Sequence, residues 1–309
     1  MARKKDNGPG GLVVVDKPAG FTSHDVVAKV RGIARTRRVG HAGTLDPMAT
    51  GVLVLGVEKA TRLLGHLALT EKEYVATVRL GQSTVTEDAE GELTASAGAA
   101  GLSREAIAEG IAKLTGDIQQ VPSKVSAVKV DGKRSYARVR EGEEVELPPR
   151  PVTVSSFQVY DVREETAEDG TPVTDLLVSV VCSSGTYVRA LARDLGDGLG
   201  TGGHLTALRR TRVGPYKLDQ ARTLERLQGE VDGGGTLSLL PLAEAAATAF
   251  PRWDVDEEQA RLLGNGAQLR LPAPVARQGG PIAVFGPEER FLALVEEHKG
   301  RAKSLAVFV

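Results

Sequence analysis

Cysteine is nearly absent: Cys182 stands alone among 309 residues. A single thiol excludes an internal disulfide framework and any zinc site built from several cysteines. The five histidines, His24, His41, His66, His204 and His298, contain no HxxxH or HExxH pair, so no helical metal-binding pair is written into the chain. No apolar run approaches the ~18 residues that suggest a membrane span. The opening MARKKDNGPGG carries basic residues with no apolar stretch behind them, and residues 1–10 read as a disordered basic tail, not a signal peptide. With the lone cysteine, this points to the cytoplasm. Aromatic residues make up only 4%, so any site that stacks on a ring has few candidates.

The formal net charge is -1, which taken alone argues against a nucleic-acid partner. Its distribution argues otherwise. Residues 1–66 hold 11 Lys and Arg against 5 Asp and Glu, and the remaining chain is correspondingly acidic. Asymmetry of this kind leaves room for a local phosphate-binding surface on a nearly neutral protein.

Strand and helix signals alternate irregularly. GLVVV (11–15) is a buried strand closed by the turn-forming DKPAG. In TSHDVVAKVRGIAR, Thr22 or Ser23 can cap a helix whose Val26, Val27, Val30 and Ile33 recur at helical spacing. A Gly-rich turn spans 38–51, followed by the strand VLVLGV (52–57) and a helix in EKATRLLGHL. YVATVRLG (74–81) alternates as a strand does. Residues 82–100 read as a polar loop, and Ser103 caps a helix over 103–116. VSAVKVDGKRSY reads as a hairpin turning at Asp131-Gly132. Two long strands follow, VTVSSFQVYDVRE and DLLVSVVCSSGTYV, with Cys182 as a small buried hydrophobe in the second. ALARDLGDGL predicts a helix, and HLTALRRTRVG predicts another with His204 as its cap or turn residue. Beyond Phe250–Trp253 the composition changes, and short strands with Gly/Pro turns suggest a small barrel. The expectation is an α+β fold with a mixed, largely antiparallel central sheet and flanking helices.

The densest chemical signal is RVGHAGTLDPMATGVLVL (38–55), where a His, an Asp and three Gly share one turn before a buried strand. Glycine lets backbone approach a ligand closely, and Pro47 stiffens the chain after Asp46. An acid held this way can be a nucleophile, a general base or a metal ligand. It can equally be a turn cap, a common use of Asp. A literal GxGxxG at Gly198, Gly200 and Gly203 lacks the preceding strand that a dinucleotide site requires.

This stretch resembles the TruB family, the tRNA pseudouridine-55 synthases. So do GLVVVDKPAGFTSHDVVAKVR (11–31), KEYVATVRLGQSTVTEDAEG (72–91), VPSKVSAVKVDGKRSYARVREGEEVELPPRPVTV (121–154), SSGTYVRALARDLG (183–196) and GGHLTALRRTRVGPY (202–216). The blocks fall in the family's order across most of 11–216. The resemblance implies that Asp46 is the catalytic aspartate and Arg189 its ionic partner. It implies that Tyr74 stacks on the flipped base and that His41 contacts the RNA loop. Leu208 then lines an apolar pocket, Asp88 helps hold the arginine, and Tyr187 shares a strand face with Arg189. Arg35, Arg37, Arg38, Lys59 and Arg62 flank the site as candidate phosphate contacts. Lys124, Lys129, Lys133 and Arg134 lie in an RNA-clasping insertion at about 121–150. Residues 11–249 form the catalytic domain, and 250–309 resemble the PUA-like barrel that accompanies the family.

The implied reaction breaks the C1′–N1 bond of uridine, rotates the uracil and joins C5 to C1′. Nothing is oxidised and nothing leaves, so neither a cofactor nor a metal is expected. A carboxylate can attack covalently or remove a sugar proton, and the sequence leaves both routes open. The base must be extruded from a folded loop, at a cost of a few kcal/mol. Stacking on an aromatic face returns about 1–3 kcal/mol. The expected partner is the T-arm stem-loop of tRNA, with no membrane, no obligatory protein partner and a monomeric enzyme. Two alternatives share the fold: a non-catalytic tRNA-folding chaperone, which needs no Asp46 carboxylate, and a guide-RNA-dependent synthase, which needs accessory proteins and a larger tail.

Overall fold

The computed structural model describes residues 10–123, 129–130, 133–134 and 147–308. They fall into two compact units. One comprises residues up to Leu45, Val52–Leu69 and the chain from Val213 onward; the other comprises Asp46–Gly51 and Thr70–Arg212.

In the second unit the strand order runs from the start of Thr50–Val57 through Gly203–Val213, Lys72–Leu80, Pro172–Cys182 and Arg150–Thr166 to Gly116–Gln120. Pairing is parallel at the first step, Arg209 opposite Thr50 and Arg210 opposite Gly51. It is antiparallel where Lys72–Leu80 meets Pro172–Cys182, from Leu80 opposite Thr174 to Lys72 opposite Cys182. Antiparallel pairing continues between Arg150–Thr166 and its two neighbours. The sheet is therefore mixed and mostly antiparallel, as expected. Lys72–Leu80 alternates strictly, burying Lys72, Tyr74, Ala76, Val78 and Leu80 on one face. That period of two is what points Tyr74 inward. The helices Arg104–Lys113, capped by Ser103, and Val188–Gly198 belong to this unit.

Two segments depart from the sequence expectation. HLTALRRTRVG is not a helix but the strand Gly203–Val213. Leu, Ala and Arg favour helix locally, yet this segment lies between two strands of the sheet, and ladder pairing overrides propensity. Its buried alternate positions include Arg210, an inward cation that breaks the apolar pattern a strand normally shows. His204 is accordingly a buried strand residue, its Nδ1 3.0 Å from the Gln82 carbonyl oxygen, and not a helix cap. The long strand expected over 175–188 ends at Cys182. Gly185, at φ +85, turns the chain through the left-handed region, which an L side chain avoids. Tyr187 becomes the N-cap of the helix Val188–Gly198, and Arg189 lies in its first turn. The two do not share a strand face.

In the first unit, Gly11–Lys17 lies between Leu240–Pro241 and Thr50–Val57, and Val39–His41 pairs with the latter. Gly11–Lys17 is buried on both faces. Val13 and Val15 pack with Val26, Val27, Val30 and Ile33 of the helix Ser23–Ile33 and with Leu224 and Leu227. Leu12 and Val14 join a second core with Leu63, Leu64, Leu67, Phe285, Phe291 and Phe308. The helix starts at a reciprocal capping box between Thr22 and Asp25, satisfying backbone N–H groups that the first turn leaves open. EKATRLLGHL is a short 3-10 turn, Glu58–Leu63, running into Leu64–Leu67. Where a small barrel was expected, a four-stranded sheet forms in the order Arg252–Asp254, Ile282–Phe285, Phe291–His298, Arg301–Val307. QLRL adds no strand to it, only an isolated bridge from Arg270 to Arg301.

Lys129–Val130 pairs antiparallel with Lys133–Arg134, in keeping with a hairpin, while its expected turn at Asp131-Gly132 lies outside the described residues. Among the described residues, no helix is long and apolar enough to cross a membrane.

Candidate active site

Asp46 sits in the turn between Val39–His41 and Thr50–Val57, and its carbonyl oxygen accepts the Ala49 N–H at 3.1 Å. The residue before it is pinned from the helix Ser23–Ile33. The buried Ser23 hydroxyl accepts the Leu45 N–H at 2.9 Å and donates to the Leu45 carbonyl at 3.2 Å. Gly51 lets the strand after the turn run close to its neighbour. It holds φ +99, and a Cβ there would fall 2.2 Å from the Arg210 carbonyl oxygen. Asp46 is thus fixed by backbone contacts on either side of it in sequence.

Arg189 reaches Asp46 from the helix Val188–Gly198. Its Nε donates to Asp46 Oδ2 at 2.9 Å and lies 3.5 Å from Asp88 Oδ2. Its Nη1 donates to the Thr86 carbonyl at 2.6 Å and to Ser123 Oγ at 3.1 Å. The Arg189 side chain is 5% exposed and Asp88 is buried, while Asp46 keeps 38% of its side chain open. The pair is closed at the arginine and accessible at the carboxylate. Charge-assisted bonds of this kind are short and strong.

Tyr74 is buried beside this pair. Burial, reinforced by the neighbouring Asp46 charge, raises its phenol above the ordinary value, although a hydrogen bond from Arg210 works the other way. The ring therefore carries a neutral hydroxyl at physiological pH. Leu208 is buried two residues before Arg210 on the same strand, so both side chains face the same side. Asp88 is fixed through Oδ1, which accepts the Thr86 hydroxyl and the Glu90 N–H. Tyr187 is held by its backbone: its N–H and C=O both bond to the Gln120 side chain.

The other sequence candidates are placed as follows. His41 ends the strand Val39–His41 in the first unit, its ring edge-on to His24 at 5.5 Å. Arg38 is 69% exposed and 3.8 Å from Glu58. Lys59 and Arg62 bind the C-terminal segment, donating to the carbonyl oxygens of Phe308 at 3.3 Å and Val307 at 2.6 Å. With Arg37 and Arg38 they line a groove of about 520 Å³. Lys124 lies outside the described residues, and of Lys129, Lys133 and Arg134 only the backbone is described.

Several contributors escape a sequence reading. Ser123 and the Thr86 carbonyl bind Arg189, yet nothing in VPSK or STVTED marks them as site residues. Arg210 carried a signal that could have found it, an arginine at an inward strand position. Gly198 ends a helix, so the glycine pattern after it sits at the wrong end to cradle a phosphate. Cys182 is buried and its thiol is pushed up to about 11 by desolvation, which leaves it unreactive. Among the described residues no group of three or more His, Cys, Asp or Glu is placed to hold a metal ion.

Comparison with known proteins places the chain in a family. Residues 31–188 match the model of the TruB family pseudouridylate synthase N-terminal domain. Residues 189–233 match the tRNA pseudouridylate synthase B C-terminal domain, and 250–309 match the tRNA pseudouridine synthase II C-terminal domain. A protein of Streptomyces griseus named tRNA pseudouridine synthase B is 73% identical, with 97% of each chain covered. One of the same name from Streptomyces coelicolor is 70% identical over 99% of each, and one from Thermobifida fusca is 56% identical over 96% of this chain and 98% of its own. Among solved structures, a chain of a Cbf5–Nop10–Gar1 complex superposes with a TM-score of 0.70 at 26% identity, covering 97% of this chain and 85% of the other. The chain therefore belongs to the TruB family of pseudouridylate synthases.

Proposed function

We propose that the protein converts uridine to pseudouridine at position 55, in the T-arm loop of tRNA, acting alone as a cytoplasmic monomer. The observation that carries this reading is the Asp46–Arg189 contact of 2.9 Å with its uneven exposure. The guanidinium is sealed inside and holds the acid in place, and the accessible acid is open to a sugar. The shared name of the relatives supports tRNA as the substrate.

In this reading residues 11–249 carry the catalysis and 250–309 form an appended PUA-like domain. Arg38, Lys59, Arg62 and Lys133 supply phosphate contacts to the tRNA, and His41 helps keep the target nucleotide out of its stack. Binding there is driven by phosphate contacts. The extruded base lies on Tyr74, with Leu208 and Tyr187 closing the apolar sides. Asp46 acts at the sugar; the C1′–N1 bond breaks, the uracil turns while held on the ring, and C5 bonds to C1′. The proton lost from C5 is returned to N1, so atoms balance without a cofactor. The raised Tyr74 phenol supports a role through its ring face and through hydrogen-bond donation.

Incubating an unmodified tRNA transcript with the purified protein alone, followed by chemical mapping of pseudouridine, tests the reading. Modification at the T-loop uridine is expected. Refolding of the tRNA without modification would instead establish the chaperone alternative, and a requirement for a guide RNA or added proteins would establish the guide-dependent one.

A further inference from the structure

Arg189 Nε stands between two acids, 2.9 Å from Asp46 Oδ2 and 3.5 Å from Asp88 Oδ2. The Asp46 contact is a hydrogen bond, and the Asp88 contact an ion pair at longer range on the same nitrogen. Asp88 is buried and fixed through Oδ1, so the split between the two acids depends on how the guanidinium plane is turned. Two acceptors on Nη1 help set that turn, the Thr86 carbonyl at 2.6 Å and Ser123 Oγ at 3.1 Å. The carbonyl belongs to the same short loop as Asp88. Ser123 alone of these two approaches from another part of the chain, just after the strand Gly116–Gln120.

The segment that delivers Ser123 is itself pinned. The buried Gln120 side chain accepts the Tyr187 N–H at 2.8 Å and donates to the Tyr187 carbonyl at 3.1 Å, at the N-cap of the helix that carries Arg189. Arg193 lies one helical turn beyond Arg189, on the same face. Its Nη2 donates to the Val121 carbonyl at 2.8 Å and its Nη1 to Glu87 Oε1 at 2.6 Å. Two arginines four residues apart thus bridge the 86–88 loop and the 121–123 segment in the same way. Ser123 is fully buried at the end of this bracket.

We propose that Ser123 is a positioning residue for the reaction: its hydroxyl turns the Arg189 guanidinium so that Nε serves Asp46 in preference to Asp88. The proposal rests on the roles of Asp46 and Arg189 in the function proposed above. A serine is needed because the position must offer an oxygen acceptor small enough to be buried against the guanidinium. Alanine removes the Ser123 acceptor from Nη1 while the Thr86 carbonyl of the Asp88 loop stays, and the guanidinium turns toward the buried acid.

The test compares wild type, Ser123→Ala and Ser123→Thr on an unmodified tRNA transcript under single-turnover conditions, with tRNA affinity measured separately. Ser123→Ala is expected to slow pseudouridine formation about tenfold while the tRNA Kd stays within about twofold, and Ser123→Thr to restore most of the rate. In parallel, the Nε–H resonance of Arg189, read by nitrogen-edited NMR without RNA, should shift in the Ala variant and return in the Thr variant. An Ala variant with wild-type rate, or one whose rate and tRNA affinity fall together, overturns the proposal. So does an unmoved Nε–H resonance. Wild-type protein that modifies no tRNA would remove the functional reading first and this proposal with it.

Discussion

At the residue scale the acid and its cation separate chemistry from affinity. Asp46→Asn removes the charge but keeps the shape. Pseudouridine formation should vanish while tRNA binding changes by less than about tenfold, or ~1.4 kcal/mol, because phosphate contacts supply the affinity. A filter-binding assay beside the modification assay checks both halves, and measurable turnover by the Asn variant would refute the assignment. Arg189→Met should be the more damaging of two changes at that position. It strips the partner from Asp46 and leaves Asp88 buried without its cation. Breaking a buried pair from one side costs about 3–5 kcal/mol, so a fall in the urea midpoint should accompany the loss of turnover. Arg189→Lys returns the charge without the planar donor fork, and should recover part of each. Equal stability and rate in Met and Lys variants would show that the charge of Arg189 is irrelevant.

The strand Lys72–Leu80 shows at the element scale how a fixed period buries whatever stands at alternate positions. Tyr74 faces inward because Ala76, Val78 and Leu80 do, and Lys72 goes inward with them. Its ammonium donates to the Thr70 carbonyl at 2.9 Å, yet burial and the nearby Arg210 charge pull its pKa from 10.5 down to about 8. The consequence for stability has a definite sign. Below pH 8 lysine is protonated in both states, and the folded state carries the whole cost of the buried charge. Between pH 8 and 10.5 the folded protein gives up the proton while the unfolded chain keeps it, so the cost fades as pH rises. Lys72→Met should therefore stabilise the protein at pH 7 by up to roughly 3 kcal/mol, and this advantage should shrink through pH 8 to 10. Denaturation curves at three pH values decide it; an advantage that grows with pH would contradict the argument.

For the molecule as a whole, the terminal four-stranded sheet and the strands near the N-terminus are packed through one core. Phe285, Phe291, Leu294 and Phe308 share a cluster with Leu12, Val14, Leu63 and Leu67. Phe308 lies 4.6 Å from Phe291 ring to ring, and its carbonyl receives Lys59. Phe308→Ala should lower stability by about 3–5 kcal/mol, seen as a drop in Tm, although the residue is next to last in the chain. A melting temperature unchanged in that variant would mean that this core is not cooperative with the terminal sheet. Lys59 and Arg62, placed by the sequence among phosphate contacts, hold backbone carbonyls at this point, and could meet a phosphate only while also securing the end of the chain.

Local rules already determined much of this from the sequence. The capping residues Thr22 and Ser103, the doubly buried GLVVV and the alternating YVATVRLG are properties of near neighbours, and they form as those neighbours dictate. The Asp46 turn was legible for the same reason, and family resemblance supplied Arg189, Tyr74 and Asp88, which the structure gathers around it. What the sequence could not decide was anything whose cause lies far along the chain. HLTALRRTRVG has helical residues and becomes a strand because of Thr50, Gly51 and Lys72–Leu80. Arg189 rides on a helix, not a strand, because one left-handed glycine interrupts a run of strand formers. Ser123 and Arg210 gain their roles only from partners that the fold delivers. Asp46 and Arg189 are 143 residues apart, and no local propensity reaches that distance; only burial of the sheet and its helices sets them 2.9 Å apart.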